Sequence, residues 1–288
     1  MSGQPLSPGT TPAAGPHVGF IGAGSMGTPM IHRLLDRQVP VTVSVRRREV
    51  AEELTAAGAH VVDTPAAATR GRELVVVCLF DEPQLEDVVL GDDGVAVHLD
   101  AGATLVIHTT AGPRLISAIA DAAARRGARV VDAPISGSAT DIREGRLTVL
   151  AGGDPDAVDT AERTVTAYSG RYLPTGGLGT ASTIKLINNL LFTANVQMVA
   201  EAARIGQDLG VDPAVLLSTV NQCSGASDAM RRMSAERSVA AFGERVGKYL
   251  SKDSDSALTL AASLGVETRL FGHVVVEGPL DLGVTAAR

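Results

Sequence analysis

The chain has 288 residues, of which 45% are hydrophobic, and a formal net charge of −7 at pH 7. This length suggests two domains of ordinary size and is enough to bury at least one substantial core. The acidic balance argues against a general binder of nucleic acid or of anionic membranes, because both would repel it.

Residues 1–16 are rich in Pro, Gly, Ser and Thr and lack the basic start and apolar core of a secretory signal, so they are predicted to be a loose tail. No later run is long and apolar enough to span a bilayer. Cys78 and Cys223 have no CxxC or Cys/His spacing, and they are predicted to be buried free thiols in a reducing cytoplasm. The six histidines form no close pair such as HExxH, so no metal site is expected.

An apolar run at residues 18–21 leads through a GxGxxG turn into an amphipathic helical pattern at residues 28–35. The first glycine permits a tight turn, the second leaves room for a pyrophosphate, and the third lets the helix pack closely on the strand. The N–H groups and positive dipole end of the helix then face the phosphates. This pattern predicts a dinucleotide-binding loop, the alternative being a glycine turn without a ligand. The loop residues are Gly22, Ala23, Gly24, Ser25, Met26 and Gly27.

The second predicted strand, residues 41–45, indicates which nicotinamide cofactor is preferred. An NAD-selective protein carries an Asp or Glu about 20 residues beyond the glycine turn, where it binds the ribose hydroxyls. Here the strand ends without an acid and is followed by Arg46, Arg47 and Arg48, whose guanidinium groups can bind a 2′-phosphate. NADP(H) is therefore predicted in preference to NAD, with Arg46 and Arg47 as contacts. The alternative is a solvated charged face.

Further apolar runs alternate with helical stretches, a pattern that predicts a doubly wound α/β domain with a parallel sheet covered on both faces. These runs are residues 41–45, 74–79, 105–107, 129–131 and 147–151. Ligands of such sheets bind beyond the carboxyl ends of the strands. The candidate segments are therefore residues 79–81, 109–110 and 132–138, with Leu79 and Phe80 predicted to contact the cofactor.

From residue 180 to about residue 209 there is no proline, apolar residues recur at helical spacing, and Gly210 provides a stop. A helix of this size is roughly 45 Å long, too long for a crossover within the first domain, so it is predicted to join two domains. Helical signals follow at residues 213–220, 226–235, 246–264 and 268–276. The predicted organisation is a tail (1–16), a dinucleotide-binding domain (17–179) and a helical domain for substrate binding and oligomerisation (180–288).

Lys185 and Asn189 are four residues apart in the predicted long helix and therefore share one face, with Cβ atoms about 5 to 6 Å apart. A lysine near an interdomain cleft can act as a general acid or base if burial lowers its pKa from about 10.4 toward roughly 7 to 8. Asn189 could bind the same substrate oxygen. Spacing alone leaves open an exposed lysine beside an asparagine that lines the helix.

Four motifs occur in order: residues 20–30 around the glycine turn, residues 132–137 (DAPISG), residues 179–189, and the pair Lys252-Asp253. Together they resemble the β-hydroxyacid dehydrogenase family, which includes 3-hydroxyisobutyrate dehydrogenases and the tartronate semialdehyde and glyoxylate/succinic semialdehyde reductases. The resemblance covers nearly everything after the tail. It implies a reversible NADP(H)-dependent hydride transfer to a small carboxylate-bearing substrate, and a homodimer or homotetramer.

The resemblance also implies a role for each matching residue. Lys185 corresponds to the catalytic lysine and Asn189 to its substrate-orienting partner. Ser136 and Gly137 correspond to a loop that holds the substrate carboxylate, and Thr110 to a threonine beside the nicotinamide ribose. Gly22, Gly24, Met26 and Gly27 correspond to the phosphate loop, Arg46 to the arginine after the second strand, and Lys252 and Asp253 to a pair that closes the cleft near cofactor and substrate.

Three residues depart from the family pattern. Ser138 replaces a second glycine, which adds a side chain to the carboxylate loop and suggests a different head group. Val45 replaces a polar residue before the cofactor arginine. Arg245 stands about where a phenylalanine is common, and either a second anionic group on the substrate or a surface arginine would explain it; we favour the surface arginine. The catalytic lysine is usually absent from imine-reducing relatives, so Lys185 favours carbonyl and alcohol chemistry. The alternatives are an imine or bulky-carbonyl reductase and a non-catalytic NADPH-binding sensor or scaffold.

Overall fold

The computed structural model describes residues 17–285, so the predicted tail lies outside the described residues. The strands are β1 (Val18–Ile21), β2 (Val41–Ser44), β3 (His60–Val62), β4 (Leu74–Val77), β5 (Thr104–Ile107), β6 (Arg129–Asp132), β7 (Ile135–Ser136), β8 (Leu147–Gly153) and β9 (Ser169–Gly176). The helices are α1 (Gly27–Asp36), α2 (Arg48–Ala56), α3 (Pro65–Thr69), α4 (Glu82–Leu90), α5 (Val95–His98), α6 (Pro113–Ala124), α7 (Ala139–Arg143), α8 (Pro155–Val165), α9 (Thr180–Asp208), α10 (Pro213–Val220), α11 (Asp228–Met233), α12 (Val239–Ser263) and α13 (Arg269–Glu277).

The nine strands of the described residues form one sheet. Eight of them follow the order β3-β2-β1-β4-β5-β6-β8-β7, and β9 pairs with β8. The six strands from β3 to β6 are parallel, and the order reverses between β1 and β4. That reversal is the switch point at which doubly wound sheets bind their ligands. The predicted fold class, a Rossmann-type domain followed by a helical region, is confirmed.

The prediction of an all-parallel sheet is wrong at β8, which runs antiparallel to both β6 and β7 and parallel to β9. A parallel connection needs a crossover of a dozen or more residues that returns the chain to the starting edge of the sheet. Here the segment after β6 instead forms β7 and the short helix α7, so the chain re-enters the sheet in the opposite direction.

The sheet is buried on both faces, which explains why its strands are continuous apolar runs. Along β1, Val18 and Phe20 pack into one core with helix α1, whereas Ile21 packs into a second core with Val75 and Val77 of β4. Each core lies between the sheet and one layer of helices. The sheet therefore holds the loops at its carboxyl edge on a rigid base.

The long helix α9 begins at Thr180 and ends at Asp208, close to the predicted bounds. Gly179 and Gly210, at its two ends, have φ values of +85° and +81°, in the left-handed region that favours glycine. The later helices pack against α9 around two apolar clusters. Gln197 binds the C-terminal segment by donating to the Leu280 carbonyl (2.8 Å) and accepting from the Leu280 N–H (2.9 Å).

The structure differs from the sequence-based expectations in several details. The long C-terminal helix begins at Val239 rather than at residue 246, and β9 is a strand that the sequence analysis did not predict. Cys223 is exposed and lies in a turn after α10, which corrects the prediction of a buried helical thiol. Cys78 is largely enclosed, and burial raises the pKa of its thiol to about 12. Within the described residues, no helix has the length and apolar character needed to cross a membrane.

Candidate active site

A cleft of about 730 Å³ opens at the carboxyl ends of β1, β2 and β4, at the predicted switch point. Its lining includes the predicted cofactor residues Gly22, Ala23, Gly24, Arg46, Arg47, Leu79 and Phe80. Two acids that the sequence analysis did not assign, Asp63 and Asp87, also line it. Asp63 was missed because it follows β3, a short edge strand without an apolar run.

The glycine turn has the geometry that a phosphate loop needs. Gly22 has a φ of +102°, and a Cβ there would lie 2.1 Å from the Cys78 carbonyl oxygen. A Cβ on Gly27 would lie 2.0 Å from the Gly22 carbonyl oxygen, so both positions require glycine. At Gly24 a Cβ would meet no described atom within 4 Å, which leaves open space beside the turn. The first turn of α1 has no side-chain cap, so its N–H groups are available to a phosphate. These features fit a dinucleotide.

The three arginines after β2 have different environments. Arg46 is exposed and lines the cleft. Arg47 also lines it and donates from Nη2 to the Ala23 carbonyl at 3.2 Å, which ties it to the glycine turn. Arg48 instead pairs with Glu52 one turn later on α2, with Nε 2.8 Å from Oε1. Two of the three guanidinium groups therefore remain at the cleft.

The loop after β4 forms the side of the cleft nearest the helical region. The Leu79 N–H donates to the buried Thr109 hydroxyl at 2.8 Å, so Thr109 holds this loop while its neighbour Thr110 is half-buried at the same edge. Phe80 is 44% exposed, and its carbonyl accepts a hydrogen bond from Lys252 Nζ of α12 at 2.8 Å. Helix α12 is thereby linked directly to the loop after β4.

Lysine occurs at three positions in the chain, Lys185, Lys248 and Lys252, and every other basic side chain except histidine is arginine. The ammonium groups of Lys248 and Lys252 lie 5.4 and 4.7 Å from the Phe80 ring centroid. Lys252 also lies 3.4 Å from a carboxylate oxygen of Asp253. Lys185 is close enough to Lys252 and Asp253 for both charges to act on it. Lys248 and Lys252 thus lie against Phe80, and Lys185 lies within electrostatic range of Lys252.

Lys185 is half-buried in the second turn of α9. Burial lowers its pKa below the usual value, because the charged form loses hydration. The carboxylate of Asp253 opposes this shift, whereas the positive charges of Lys252 and Arg232 add to it. The pKa of Lys185 therefore lies nearer to neutral pH than that of a surface lysine. A group that gives and takes protons needs such a pKa.

Asn189 lies one turn after Lys185 and is 6% exposed. Its Oδ1 accepts a long hydrogen bond of 3.5 Å from Asn188, but its Nδ2 has no hydrogen-bond partner among the residues that the structure describes. An unsatisfied buried donor costs about 1–3 kcal/mol, so groups of this kind are uncommon unless a ligand accepts from them. A ligand oxygen would satisfy this donor.

Ser136 ends the short strand β7 and is half-buried, and Gly137 follows it with a φ of +141°. Ser138 does not extend this loop with a free hydroxyl. It caps α7: its N–H and Oγ donate to Asp141 Oδ2 at 2.8 and 2.6 Å, and its Oγ accepts from the Asp141 N–H at 3.3 Å. The local capping box therefore accounts for Ser138, in place of the altered head group that its sequence position suggested.

Asp132, at the start of the same segment, has a contact that the sequence analysis did not predict. Its carboxylate is fully buried and accepts the N–H groups of Gly179 (2.8 Å) and Ser182 (2.7 Å) at the beginning of α9. Burial raises the pKa of this carboxyl, and the hydrogen bonds from Gly179 and Ser182 oppose the rise. The partners are 47 and 50 residues away, so no local pattern indicates them.

Arg245 lies at the surface, as predicted. It pairs with Glu236 at 2.6 Å and its guanidinium lies 5.2 Å from the Phe242 ring centroid. Across residues 17–285 no group of three or more His, Cys, Asp or Glu side chains is arranged to hold a metal ion.

Two family models match the chain. Residues 17–177 match the NAD-binding domain of 6-phosphogluconate dehydrogenase, and residues 179–276 match the NAD-binding domain of NADP-dependent 3-hydroxyisobutyrate dehydrogenase. Among curated relatives, a probable 3-hydroxyisobutyrate dehydrogenase-like protein of Arabidopsis thaliana is 30% identical over 273 residues, which cover 92% of this chain and 90% of the relative.

Solved structures share the fold. A 3-hydroxyisobutyrate dehydrogenase of Mycobacterium tuberculosis, crystallised with L-serine, superposes with a TM-score of 0.81 at 19% identity, covering 91% of each chain. A protein named Psf3, in complex with NADP+ and 2-OPP, has a TM-score of 0.74 at 25% identity, covering 90% of this chain and 91% of its own. Matching family models across both regions, a relative that aligns along almost the whole chain, and the cleft described above establish that the chain belongs to the β-hydroxyacid dehydrogenase family of NAD(P)-binding oxidoreductases.

Proposed function

We propose that the protein interconverts a small β-hydroxyacid and its semialdehyde with NADP(H) as cofactor. The observation that carries this proposal is the pairing, one helical turn apart, of a lysine with a lowered pKa and a buried amide donor that lacks a protein partner. The bound nicotinamide supplies a hydride in reduction and accepts one in oxidation. The chain's own residues supply position, charge and proton transfer.

In reduction, Lys185 donates a proton to the substrate oxygen as negative charge develops on it. In oxidation, the neutral amine takes the hydroxyl proton. Asp253 and Lys252 act on this balance in opposite directions, as their charges require. An arginine could not perform this role because it does not give up its proton near neutral pH. The chain has lysine at position 185 although nearly all of its other Lys and Arg positions are arginine, which is consistent with that requirement.

Asn189 orients the reacting oxygen through its free Nδ2, which removes the cost of leaving this donor unsatisfied. The Ser136 hydroxyl and the backbone at Gly137 hold the substrate carboxylate. Lys252 and Asp253 close the cleft from α12. Thr110, Leu79 and Phe80 border the nicotinamide end, and the glycine turn holds the pyrophosphate. Aligning the two reactants in this way provides a large share of the rate enhancement.

The preference for NADP(H) over NAD(H) is part of this proposal. Arg46 and Arg47 remain at the cleft without a carboxylate partner among the described residues, whereas Arg48 is paired with Glu52. A 2′-phosphate would be held there by charge-assisted hydrogen bonds. Asp63 and Asp87 line the same cleft, so the balance between cofactors depends on how close the arginines come to the ribose.

A homodimer or homotetramer is also proposed. Helix α9 leaves five large apolar side chains exposed, and a sixth follows at its C-cap: Ile184, Ile187, Leu191, Met198 and Ile205 in the helix, and Leu209 after it. Four of them recur every seven residues, from Ile184 to Ile205, which forms one stripe along the helix. An apolar stripe of this length on a soluble surface is typical of an interface between subunits.

The test is a panel of β-hydroxyacids, semialdehydes and cyclic imines, followed by nicotinamide absorbance with each cofactor. Lys185→Ala should lower kcat by about 10²-fold or more on the preferred hydroxyacid, the range of general acid–base catalysis. Lys185→Arg should be nearly as inactive, because arginine keeps the charge but does not give up a proton near neutral pH. Gln207→Ala, exposed at the far end of α9, is the matched control.

Wild-type rates in Lys185→Ala would remove this lysine from the mechanism. Turnover of cyclic imines but not of semialdehydes would replace the proposal with an imine reductase. Binding of NADPH without turnover of any compound would favour a sensor or scaffold.

A further inference from the structure

The carboxylate of Asp132 is the best-enclosed charged group near the site, and the proposed mechanism does not use it. It is 0% exposed, at the carboxyl end of β6. Both oxygens accept backbone N–H groups of the adjoining helix, Oδ1 from Gly179 and Oδ2 from Ser182. No ion pair to it is found among the described residues. Its hydrogen-bond partners include backbone donors at the beginning of α9 that have no acceptor within the helix.

The surroundings of this carboxylate have little spare room. A Cβ on Gly152 of β8 would lie 2.6 Å from Asp132 Oδ1 and 3.0 Å from Thr180 Oγ1. Thr180 is itself held by hydrogen bonds to Thr175 Oγ1 (2.8 Å) and to the Gly177 carbonyl (2.7 Å). Gly152 therefore leaves the space in which the carboxylate meets the helix. The atoms around the Asp132 carboxylate are therefore closely packed and held in place.

Helix α9 cannot cap itself. The residue at its N-cap position is Gly179, which has no side chain, and no local side-chain cap is formed. An N-cap acceptor is worth about 1 kcal/mol in helices generally, and a carboxylate at this end also interacts favourably with the helix dipole. Asp132 supplies that acceptor from another element, with two oxygens instead of one. The start of α9 is thereby fixed to the end of β6.

This contact connects the two halves of the substrate site. Lys185 lies three residues after Ser182, to which Asp132 is bonded, and Ser136 lies four residues after Asp132 along the DAPISG segment. One buried carboxylate therefore fixes the origin of both the helix that carries the lysine and the loop that carries the serine. We propose, on the basis of the function proposed above, that Asp132 is a positioning residue that sets the distance between Lys185 and the substrate carboxylate loop.

The test begins with Asp132→Asn and Asp132→Ala in the full-length protein. A displacement of about 1 Å at a reacting group can cost about 10²-fold in rate, so kcat should fall by about 10-fold for Asn, which keeps one acceptor, and by about 10²-fold for Ala. The Kd for NADPH, measured by fluorescence, should stay within about threefold, because Asp132 is absent from the lining of the nucleotide cleft. Asp154→Asn is the control: Asp154 also caps a helix, α8, by accepting the Ala157 N–H at 3.2 Å.

A double-mutant cycle with Lys185→Ala separates positioning from general stability. If Asp132 acts through Lys185, Asp132→Asn should cost about 10-fold in kcat in the wild-type background but less than about twofold when Lys185 is already alanine. A purely structural role would give the same factor in both backgrounds. If Asp132→Asn does not fold, Gly152→Ala, which crowds Oδ1 without removing the charge, should produce the same pattern.

Equal losses in the two backgrounds, or a loss in Asp154→Asn as large as that in Asp132→Asn, would overturn the positioning role while leaving the proposed function intact. An active Lys185→Ala variant would instead defeat the proposed function itself. The two failures are therefore distinguishable with five proteins: the wild type, the two single variants, the double variant and Asp154→Asn.

Discussion

His108 and Tyr168 form a buried polar pair beneath the segment that carries Asp132. His108 Nδ1 lies 2.6 Å from the Ala133 carbonyl and Nε2 lies 2.8 Å from the Tyr168 hydroxyl. A carbonyl only accepts, so Nδ1 carries the proton and Nε2 accepts from Tyr168. The neutral imidazole satisfies both neighbours. Burial lowers its pKa to about 4, partly opposed by the hydrogen bond to Ala133.

This histidine predicts a loss of stability on mild acidification. The unfolded chain binds a proton on His108 below about pH 6.5, whereas the folded chain does so only near pH 4. Unfolding therefore takes up a proton between these values, and the free energy of unfolding should fall by up to about 3 kcal/mol as the pH drops across them. Urea unfolding at pH 7, 6 and 5 measures this fall in the free energy of unfolding.

His108→Gln isolates this contribution, because glutamine keeps a donor and an acceptor but does not titrate. Its stability should depend less on pH than that of the wild type over the same range. A parallel pH dependence in the two proteins would assign the effect to other groups. Tyr168→Phe, which removes only the hydroxyl, should cost about 1 kcal/mol near neutral pH.

Arg46 and Arg48 provide a matched pair for testing the cofactor assignment. They are two residues apart, but Arg46 lines the cleft whereas Arg48 pairs with Glu52. Arg46→Ala should weaken binding of NADPH about 10-fold or more and that of NADH much less, because only NADPH carries the 2′-phosphate. Arg48→Ala should leave both affinities nearly unchanged, because Arg48 pairs with Glu52 and its side chain is 90% exposed. Titration of nucleotide fluorescence gives both constants. Equal losses for the two cofactors in Arg46→Ala would count against NADP(H).

At the scale of elements, sequence patterns predicted the parts of the sheet that are buried on both faces. Strands β1, β4 and β5 are fully buried, so each appears in the sequence as an apolar run. Strand β9 escaped prediction because most of its residues are exposed or half-buried and it contains Pro174 and two glycines, which are usual markers of a loop. Strand β3 was missed for a similar reason, since His60 is exposed and its neighbours are only half-buried.

Helix α9 was predicted within one residue of its observed end because glycine stands at both of its boundaries. The residues of the phosphate loop were likewise readable, since their roles depend on neighbours in sequence. Asp132 begins the DAPISG motif of the sequence, but its cap on α9 depends on residues 47 and 50 positions away. The use of Ser138 in a capping box could have been read from Asp141, three residues later, because Ser followed by an acid at this spacing is a capping signal. Contacts across distant segments, by contrast, required the structure.

At the scale of the whole molecule, the exposed stripe of α9 predicts self-association. Met198→Glu and Ile205→Glu in one chain place two charges in the C-terminal half of the stripe, where burying them would cost far more than the interface gains. The mass in solution, measured by light scattering, should fall from that of an oligomer to that of the 29.5 kDa chain. Val97→Glu on α5, which is similarly exposed but outside the stripe, should change nothing.

A wild-type protein that is already monomeric at working concentration would contradict the interface, and an unchanged mass in the double variant would move it elsewhere. Met198 and Ile205 lie more than two helical turns beyond Lys185 and Asn189 along α9. A fall in activity on dissociation would therefore show that the assembled state supports the cleft.

The contact between α12 and the loop after β4 also bears on how these two segments separate. Lys252 donates one hydrogen bond to the Phe80 carbonyl, a bond from a charged donor to a neutral acceptor that is worth about 1.5–3 kcal/mol when sheltered and less where water competes. The ammonium groups of Lys248 and Lys252 and the ring of Tyr249 add contacts with the Phe80 side chain. All of these contacts are made by side chains of α12, so we expect that α12 parts from this loop, and admits or releases a bound cofactor, with no unwinding of a helix.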